Sequence, residues 1–351
     1  MGRVVDTLLH SLTDRLAALA APSDMHPDAW PLGERLEAWG RGSGLVLGDP
    51  DTSPLGRGRF ERLAARVFPA GDLERVELFA RWLTWTFAVD DLLDDAPMAT
   101  SATAVHGLYG DLLKAMRRGH AAPGARPLEA TAVELWRAAA AGMSRDWRRR
   151  FLLHMEEHRA GCAAEAVGRR MGETPTPDAY PALRRRAAGP FLLDLIEPVL
   201  GVELPPRLLG TSPWKTVAEG TADVLAWSND LASYGKETAR GDVHNHVVVL
   251  AAARGLEPAQ AADRVVDHIV DRVMDVRGAV RAMNDTFAML GLSPAERDAV
   301  TRIVGAFVGA PRAHLDWLTE SGRYCRSGVP DQASPAPGQR QPRLDALASL
   351  R

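Results

Sequence analysis

Apolar side chains recur at helical spacing along most of the chain, and the alternation typical of β-strands is scarce. Between residues 73 and 89, apolar side chains cover one broad face of a predicted helix. Segments containing proline and glycine interrupt the pattern near residues 22, 54, 69–71, 122–124, 172–175, 204–206, 291–294 and 311. We therefore predict an all-α fold, a single bundle of helices of about 15–30 residues around a central cavity.

The composition changes only towards the end of the sequence, and no linker divides the chain before about residue 326. Residues 326–351 are rich in Pro, Gly, Gln and Ser, which is typical of segments that do not fold. We predict one helical domain over residues 1–325 and a disordered tail over residues 326–351.

Charge and composition exclude several classes of protein. The 351 residues carry a formal net charge of −3, which gives no general attraction to nucleic acid or to an anionic membrane. The longest apolar run, residues 247–253, is far too short to span a bilayer. The two cysteines, Cys162 and Cys325, imply no disulfide framework. We expect a soluble cytoplasmic protein that has no membrane span and no nucleic-acid partner.

A cluster of carboxylates follows the apolar helix directly. Asp90, Asp91 and Asp94 point into one sector of that helix, at about 100° per residue. Such crowding is unfavourable unless a cation neutralises it, and oxygen ligands select hard cations such as Mg²⁺. One interpretation is a metal site that also binds substrate phosphate. The alternative is a solvated helix end, where Asp95 also lies in solvent or supports the cluster.

A second polar stripe lies far along the chain. Asn229, Ser233 and Glu237 are spaced i, i+4 and i+8, so they span about 80° of a helix and all offer oxygen atoms. Lys236 lies beside them and can reach a phosphate oxygen as a point charge. Alone, the stripe would indicate a polar helix face. Together with the aspartate cluster, it favours a pair of metal sites.

These two segments, DDLLD at 90–94 and NDLASYGKE at 229–237, resemble the DDxxD/E and NDxxSxxxE signatures of class I terpene synthases of the microbial type. The order is the same, and an Arg-Tyr pair near the C-terminus, Arg323-Tyr324, is similar as well. The resemblance runs from about residue 26 to residue 324. It implies the class I terpenoid synthase bundle with an active-site cavity, and a metal-dependent lyase of isoprenoid biosynthesis.

The resemblance also implies a role for each matching residue. Three Mg²⁺ ions, replaceable by Mn²⁺, would be held by Asp90, Asp91, Asp94, Asn229, Ser233 and Glu237. The substrate diphosphate would be bound by Arg185, Lys236, Arg323 and Tyr324. Register places the diphosphate-sensing arginine at Arg185 and the effector residue at Gly189. Arg184 and Arg186 compete with Arg185 for the sensing role.

The cation formed on ionisation needs a dry, apolar cavity. Phe87 and Trp317 are the candidates for its aromatic walls, because ring faces attract a cation, and plain core packing is the alternative for both. Gly189-Pro190 falls within a helical pattern, so the helix either kinks there and frees backbone carbonyls, or ends between two short helices.

Several substrates and functions fit these motifs. Farnesyl diphosphate, cyclised to a sesquiterpene with release of diphosphate, is the first expectation, and geranylgeranyl diphosphate, giving a diterpene, is the next. A chain-elongating prenyl diphosphate synthase is an alternative, although such enzymes carry two aspartate-rich motifs. A non-catalytic isoprenoid-binding helical protein is another. A homodimer is one option for the assembly.

Overall fold

The computed structural model describes residues 12–15, 22–45, 52–94 and 98–324, and these ranges contain helices and connections but no strand. The predicted tail and Asp95 lie outside the described residues. The helices are α1 (Ala29–Ser43), α2 (Phe60–Val67), α3 (Leu73–Asp94), α4 (Ala102–Arg118), α5 (Pro127–Ala140), α6 (Arg145–Met171), α7 (Tyr180–Ala187), α8 (Phe191–Asp194), α9 (Ile196–Leu200), α10 (Pro206–Leu209), α11 (Ser212–Ala239), α12 (His246–Arg254), α13 (Pro258–Arg281), α14 (Met283–Met289) and α15 (Pro294–Glu320). The predicted all-α class is confirmed.

The local sequence sets the N-terminal end of helix α15. Ser293 accepts a hydrogen bond from the backbone N–H of Glu296 at 3.3 Å, and the Glu296 carboxylate accepts one from the Ser293 N–H at 2.8 Å. Pro294 then occupies the first helical position, where its missing N–H costs nothing. This reciprocal capping box explains why the segment at 291–294 separates two helices.

The expected break at Pro311 is wrong, because α15 continues through it from Pro294 to Glu320. A proline inside a helix cannot donate a hydrogen bond to the carbonyl four residues earlier, which here belongs to Phe307. The Thr221 hydroxyl of α11 donates to that carbonyl instead, at 3.2 Å. A neighbouring helix therefore satisfies the group that the proline leaves free, and the sequence around Pro311 contains no sign of it.

Two groups of helices enclose the interior. Helix α11 packs on α7, α12, α13 and α15, while α3 packs on α1, α2, α5 and α9. Trp82, Trp85 and Trp147 are fully buried in the core between them. The indole N–H groups of Trp85 and Trp147 donate to backbone carbonyls, at 2.8 and 3.0 Å, so these large side chains are buried without leaving those donors unpaired.

Candidate active site

The two sequence motifs meet at one end of the bundle. The carboxylates stand at the C-terminal end of α3, and the Asn/Ser/Glu stripe stands in the last turns of α11. The Asp94 carboxylate lies 3.7 Å from the ammonium of Lys236 on α11 and 3.0 Å from the guanidinium of Arg240, the residue that follows α11, so these two cations bridge the helix ends. Between them is a small polar cleft of about 70 Å³, here called the charged rim. Its lining includes Asp90, Asp94, Arg169, Arg184, Asn229, Ser233, Lys236, Glu237, Arg323 and Tyr324.

Arg323 closes the rim on the side of the aspartates. Its guanidinium donates two hydrogen bonds to Asp91, at 2.6 and 3.1 Å, and lies 3.5 Å from Asp90. It also lies over the ring of Phe87, at 4.8 Å from the ring centroid. Only 5% of the Arg323 side chain is exposed, and both terminal nitrogens of its guanidinium are paired with Asp91. Asp91 therefore reaches the rim through Arg323 and does not line the cleft itself.

The stripe on α11 is also internally bonded. The Asn229 amide donates to the Tyr324 hydroxyl at 2.8 Å and accepts from Arg184 at 3.1 Å. Ser233 donates to the backbone carbonyl of Asn229 at 2.8 Å. Glu237 accepts a hydrogen bond from Asn245 at 2.8 Å. Tyr324 and the stripe are thus in direct contact, as the resemblance implies for residues that share one diphosphate.

The carboxylates of the rim are held in surroundings that disfavour their charge. Burial raises the pKa of Glu237 to about 8, and the negative charge of Asp230 adds to the effect. The pKa of Asp94 is raised as well, first by burial and next by Asp90. A hard divalent cation restores the ionised form of such groups, and the donors are all oxygen atoms, so the residues fit a magnesium-type ion.

The described residues contain no set of three His, Cys, Asp or Glu side chains that already converges on one point. Asp91 is paired with Arg323 instead, and Asp94 with Arg240 and Lys236.

Arg185 lines the apolar cavity described below but not the rim, and its guanidinium donates to Asp223 at 2.8 and 2.9 Å. Arg184 donates to Asp230 at 2.8 Å and to Asn229 at 3.1 Å, and it lines the rim. Successive residues of a helix point about 100° apart, so a shift of one residue turns the side chain from the rim towards Asp223. The role of Arg185 as the diphosphate sensor stays a prediction, with Arg184 as its competitor.

An apolar cavity of about 180 Å³ lies beneath the rim. Leucine, isoleucine, valine, alanine and phenylalanine side chains from α2, α3, α8, α9 and α11 form most of its lining. Phe87, Asp90, Arg184 and Asn229 line both the cavity and the rim, so the two spaces share one opening. Phe87, one of the predicted wall residues, therefore lies where the cavity meets the rim.

Trp317 does not line this cavity, which corrects its predicted place in the wall. It is fully buried, and its indole N–H donates to the carbonyl of Gly58 at 2.7 Å. Its ring packs against Phe87 with a centroid distance of 6.0 Å and against Phe60 at 5.8 Å. Trp317 therefore supports Phe87 from behind, which is the core-packing alternative.

Gly189 lines the cavity at the predicted interruption of the helix. Helix α7 ends at Ala187 and α8 begins at Phe191, so the chain breaks between two helices instead of kinking within one. Gly189 has φ of +74°, a backbone conformation that glycine adopts without strain. A Cβ atom there would meet nothing closer than 3.5 Å, so the backbone angle and not the available space favours glycine.

Sequence patterns did not identify two arginines of the site. Arg240 pairs with Asp94. It follows Glu237 by three residues, and this helical spacing could have indicated that Arg240 lies beside the stripe. Arg169, at the end of α6, donates to Asp242 at 2.9 Å and lines the rim. Nothing near Arg169 in the sequence marks it, because only the packing of α6 brings it there.

Helical architecture, an oxygen-rich charged rim and an apolar cavity beneath it define a class of metal-dependent enzymes that act on the diphosphates of apolar chains. A sequence model of the family described as "Terpene synthase family 2, C-terminal metal binding" matches residues 81–275, more than half of the 351 residues. The chain belongs to the terpene synthase family. It is therefore a terpene cyclase-type lyase acting on isoprenoid diphosphates, with a metal-binding domain.

Named relatives agree with this assignment. The (−)-delta-cadinene synthase of Streptomyces clavuligerus is 30% identical over 276 residues, covering 78% of this chain and 84% of that protein. A (−)-beta-caryophyllene synthase of Saccharothrix espanaensis, named as cyclising (2E,6E)-farnesyl diphosphate, is 27% identical over 311 residues and covers 86% of each chain. The crystal structure of a linalool/nerolidol synthase from Streptomyces clavuligerus with 2-fluorogeranyl diphosphate has a TM-score of 0.76 at 25% identity, covering 87% of this chain and 98% of that one.

None of the helices in the described ranges combines the length and the apolar character needed to cross a bilayer.

Proposed function

We propose that this terpene synthase ionises and cyclises farnesyl diphosphate in the presence of Mg²⁺, releasing diphosphate and a cyclic sesquiterpene. One observation carries the proposal: Asp90, Arg184 and Asn229 stand where the charged rim opens into the apolar cavity, so one molecule can have its diphosphate in the rim and its chain in the cavity. The caryophyllene synthase relative, which cyclises (2E,6E)-farnesyl diphosphate, supports the C15 substrate. Geranylgeranyl diphosphate is the second candidate.

The metal ions would be held by Asp90, Asp91, Asp94, Asn229, Ser233 and Glu237, with three Mg²⁺ ions expected and Mn²⁺ as a substitute. When bound, these ions act as Lewis acids and stabilise charge on the departing diphosphate. The raised pKa values of Glu237 and Asp94 support this role, because both carboxyl groups gain from a nearby cation. Metal binding would then release protons at neutral pH.

Basic residues of the rim would donate to the oxygens of the diphosphate. Arg184, Lys236, Arg323 and Tyr324 line the rim together. Lys236 and Arg323 neutralise aspartates in the described structure. With the aspartates holding metal ions, Lys236 and Arg323 would be free to bind the diphosphate, so little net charge would stay unpaired.

The walls below the rim would exclude water and shape the carbocation. Phe87 lines both spaces, so its ring would lie near the ionising carbon. Gly189 holds the turn between α7 and α8 at the cavity wall. Exclusion of water is essential in this chemistry, because a carbocation reacts with any water that reaches it.

The test offers geranyl, farnesyl and geranylgeranyl diphosphate in parallel, with Mg²⁺ or with excess chelator. We expect release of diphosphate and a cyclic C15 product by gas chromatography–mass spectrometry, and no product in chelator. A cyclic C20 product alone would move the proposal to geranylgeranyl diphosphate. Labelled isopentenyl diphosphate is added with each allylic substrate, and a longer diphosphate would establish chain elongation instead. No diphosphate release from any substrate would favour a non-catalytic binding protein.

Two further predictions concern the whole protein. A homodimer stays a prediction, which light scattering of the purified chain checks. A cytoplasmic location also stays a prediction, which cell fractionation checks.

A further inference from the structure

Two buried histidines line the apolar cavity: His158 on α6 and His314 on α15. Their exposed fractions are 5% and 8%. An imidazole is not needed to fill space in a cavity that holds a carbocation, because aliphatic side chains fill the same space without polar atoms. Their hydrogen bonds show that the two rings serve different purposes.

Both ring nitrogens of His158 are occupied. Nε2 lies 3.1 Å from the carbonyl oxygen of Ala187, and Nδ1 lies 2.8 Å from the hydroxyl oxygen of Tyr109. A carbonyl can only accept, so Nε2 carries the proton and Nδ1 must accept from the tyrosine hydroxyl. No lone pair of His158 is left for a substrate. This ring fixes the end of α7, where Ala187 is the last residue.

His314 is in the opposite situation. Its ring forms no hydrogen bond with any residue that the structure describes. Nδ1 is buried without a partner, so Nε2 is the nitrogen left to face the cavity that His314 lines. The ring packs at 29° on the indole of Trp317, with centroids 5.5 Å apart. Trp317 cannot supply the missing hydrogen bond, because its N–H already donates to the carbonyl of Gly58.

The ring of His314 is neutral at physiological pH. Burial, and next the nearby positive charge of Arg184, lower its pKa to about 3. In neutral imidazole, one nitrogen carries the proton and the other keeps a lone pair. An unpaired buried polar group costs folding free energy, so its presence in a cavity wall calls for a functional explanation.

We propose that His314 is a catalytic residue, the base that removes the last proton from the cyclised carbocation. This inference rests on the proposed function. In the step, the C–H bond next to the cationic carbon breaks, its electron pair forms the second bond of a C=C, and the proton bonds to the imidazole lone pair. The imidazolium then gives the proton to the diphosphate released in the same turnover. Such a C–H proton is far more acidic than imidazolium, so a weakly basic ring suffices.

Arg184 makes the proton transfer to His314 temporary. It lines the same cavity, and its positive charge disfavours imidazolium. His314 therefore returns to the neutral form before the next substrate arrives. The position of the ring would also select which C–H bond is cleaved, and so which double-bond isomer is formed.

The test compares wild type, His314→Phe and His314→Gln, with His246→Phe as the matched control. His246 also has a buried Nδ1 without a partner, and burial lowers its pKa to about 3, but it does not line the cavity. For each protein, diphosphate release from farnesyl diphosphate reports ionisation, and gas chromatography–mass spectrometry reports the product ratio. Phenylalanine removes the base and keeps a ring, while glutamine keeps polar atoms without a basic nitrogen.

We expect both His314 variants to release diphosphate within about threefold of wild type, because ionisation precedes the proton loss. The share of the main product should fall by roughly tenfold or more, replaced by isomers and alcohols. The control should keep the wild-type ratio. An unchanged ratio in His314→Phe would overturn the proposal, as would a wild-type ratio in His314→Gln. If wild type releases no diphosphate from any substrate, the proposed function fails and this inference with it.

Discussion

The charged rim and the apolar cavity treat their polar groups in opposite ways. At or beside the rim, Asp91 is bound by Arg323, Asp94 by Arg240 and Lys236, and Glu237 by Asn245. In the cavity below, His314 has no hydrogen-bond partner among the described residues. Under the proposed function, the rim would exchange partners that are already present. The cavity would instead keep His314 available among mostly apolar walls, below the junction where Asp90, Arg184 and Asn229 lie.

The strongest test of the rim is removal of a metal-binding side chain. Asp90→Ala and Asn229→Ala should each lower the rate of diphosphate release by roughly a thousandfold or more, because the leaving group loses the ions that stabilise it. Circular dichroism should stay unchanged, since Asp90 is 58% exposed and carries no core contact that its loss would remove.

Asp111→Ala is the control for these variants, because Asp111 is an exposed carboxylate on α4 away from both spaces. It should keep the wild-type rate. Wild-type rates in Asp90→Ala or Asn229→Ala would show that the metal assignment is wrong.

The next largest effect should separate two adjacent arginines. Arg184→Lys should slow diphosphate release by about 10- to 100-fold, because a lysine cannot bond Asp230 and Asn229 at once as the guanidinium does. Arg185→Lys should stay within about threefold, since Asp223 keeps its second partner, Arg272, at 2.9 Å. Steady-state assays at saturating Mg²⁺ measure both. The reverse order of effects would restore Arg185 as the sensor.

A smaller effect is expected at the cavity wall. Gly189→Ala should lower the free energy of unfolding by about 1 kcal/mol, because an alanine at φ of +74° is strained. It should also change the product ratio, because Gly189 lines the cavity. Gly142→Ala is the matched control: its φ is +78°, nothing lies within 4 Å of a Cβ there, and it lines neither space. The control should lose the same stability and keep the wild-type product. A changed product in Gly142→Ala would contradict the conclusion that the effect of Gly189 comes from its place in the cavity wall.

The last test concerns stability and pH. His314 has a pKa of about 3 in the folded state against 6.5 when unfolded. Below pH 6.5 the unfolded chain binds a proton that the folded chain does not, so this group lowers stability as the pH falls from 6.5 towards 3. His314→Phe lacks that loss. Relative to wild type, it should gain up to about 1.4 kcal/mol per pH unit below 6.5, measured by urea unfolding. A difference independent of pH would mean that the ring is not buried as described.

Much of the molecule was predictable from sequence. The helical spacing of apolar residues indicated the all-α class, and the spacing of Asp90, Asp91 and Asp94 placed three carboxylates on one sector of a helix. The stripe at Asn229, Ser233 and Glu237 depends on the same periodicity within one helix. Such local features follow from the geometry of a single element, which the order of residues fixes.

Features that depend on contacts between helices were not predictable. Pro311 continues a helix because Thr221 of another helix satisfies the free carbonyl. Trp317 lies behind Phe87 instead of in the cavity, and Arg169 reaches the rim from α6. In each case the deciding atom is far away in the sequence, so no local pattern contains it.

The sequence by itself determined the family, the helical class and the two motifs that carry the oxygen ligands, because these depend on residue identity and on spacing within one helix. Only the tertiary structure decided that Arg184 and not Arg185 faces the rim. A rotation of about 100° per residue makes that choice sensitive to how α7 docks on α11. It also decided which of two buried histidines keeps a lone pair free, because Tyr109 and Ala187 hydrogen-bond to His158 and no described residue hydrogen-bonds to His314.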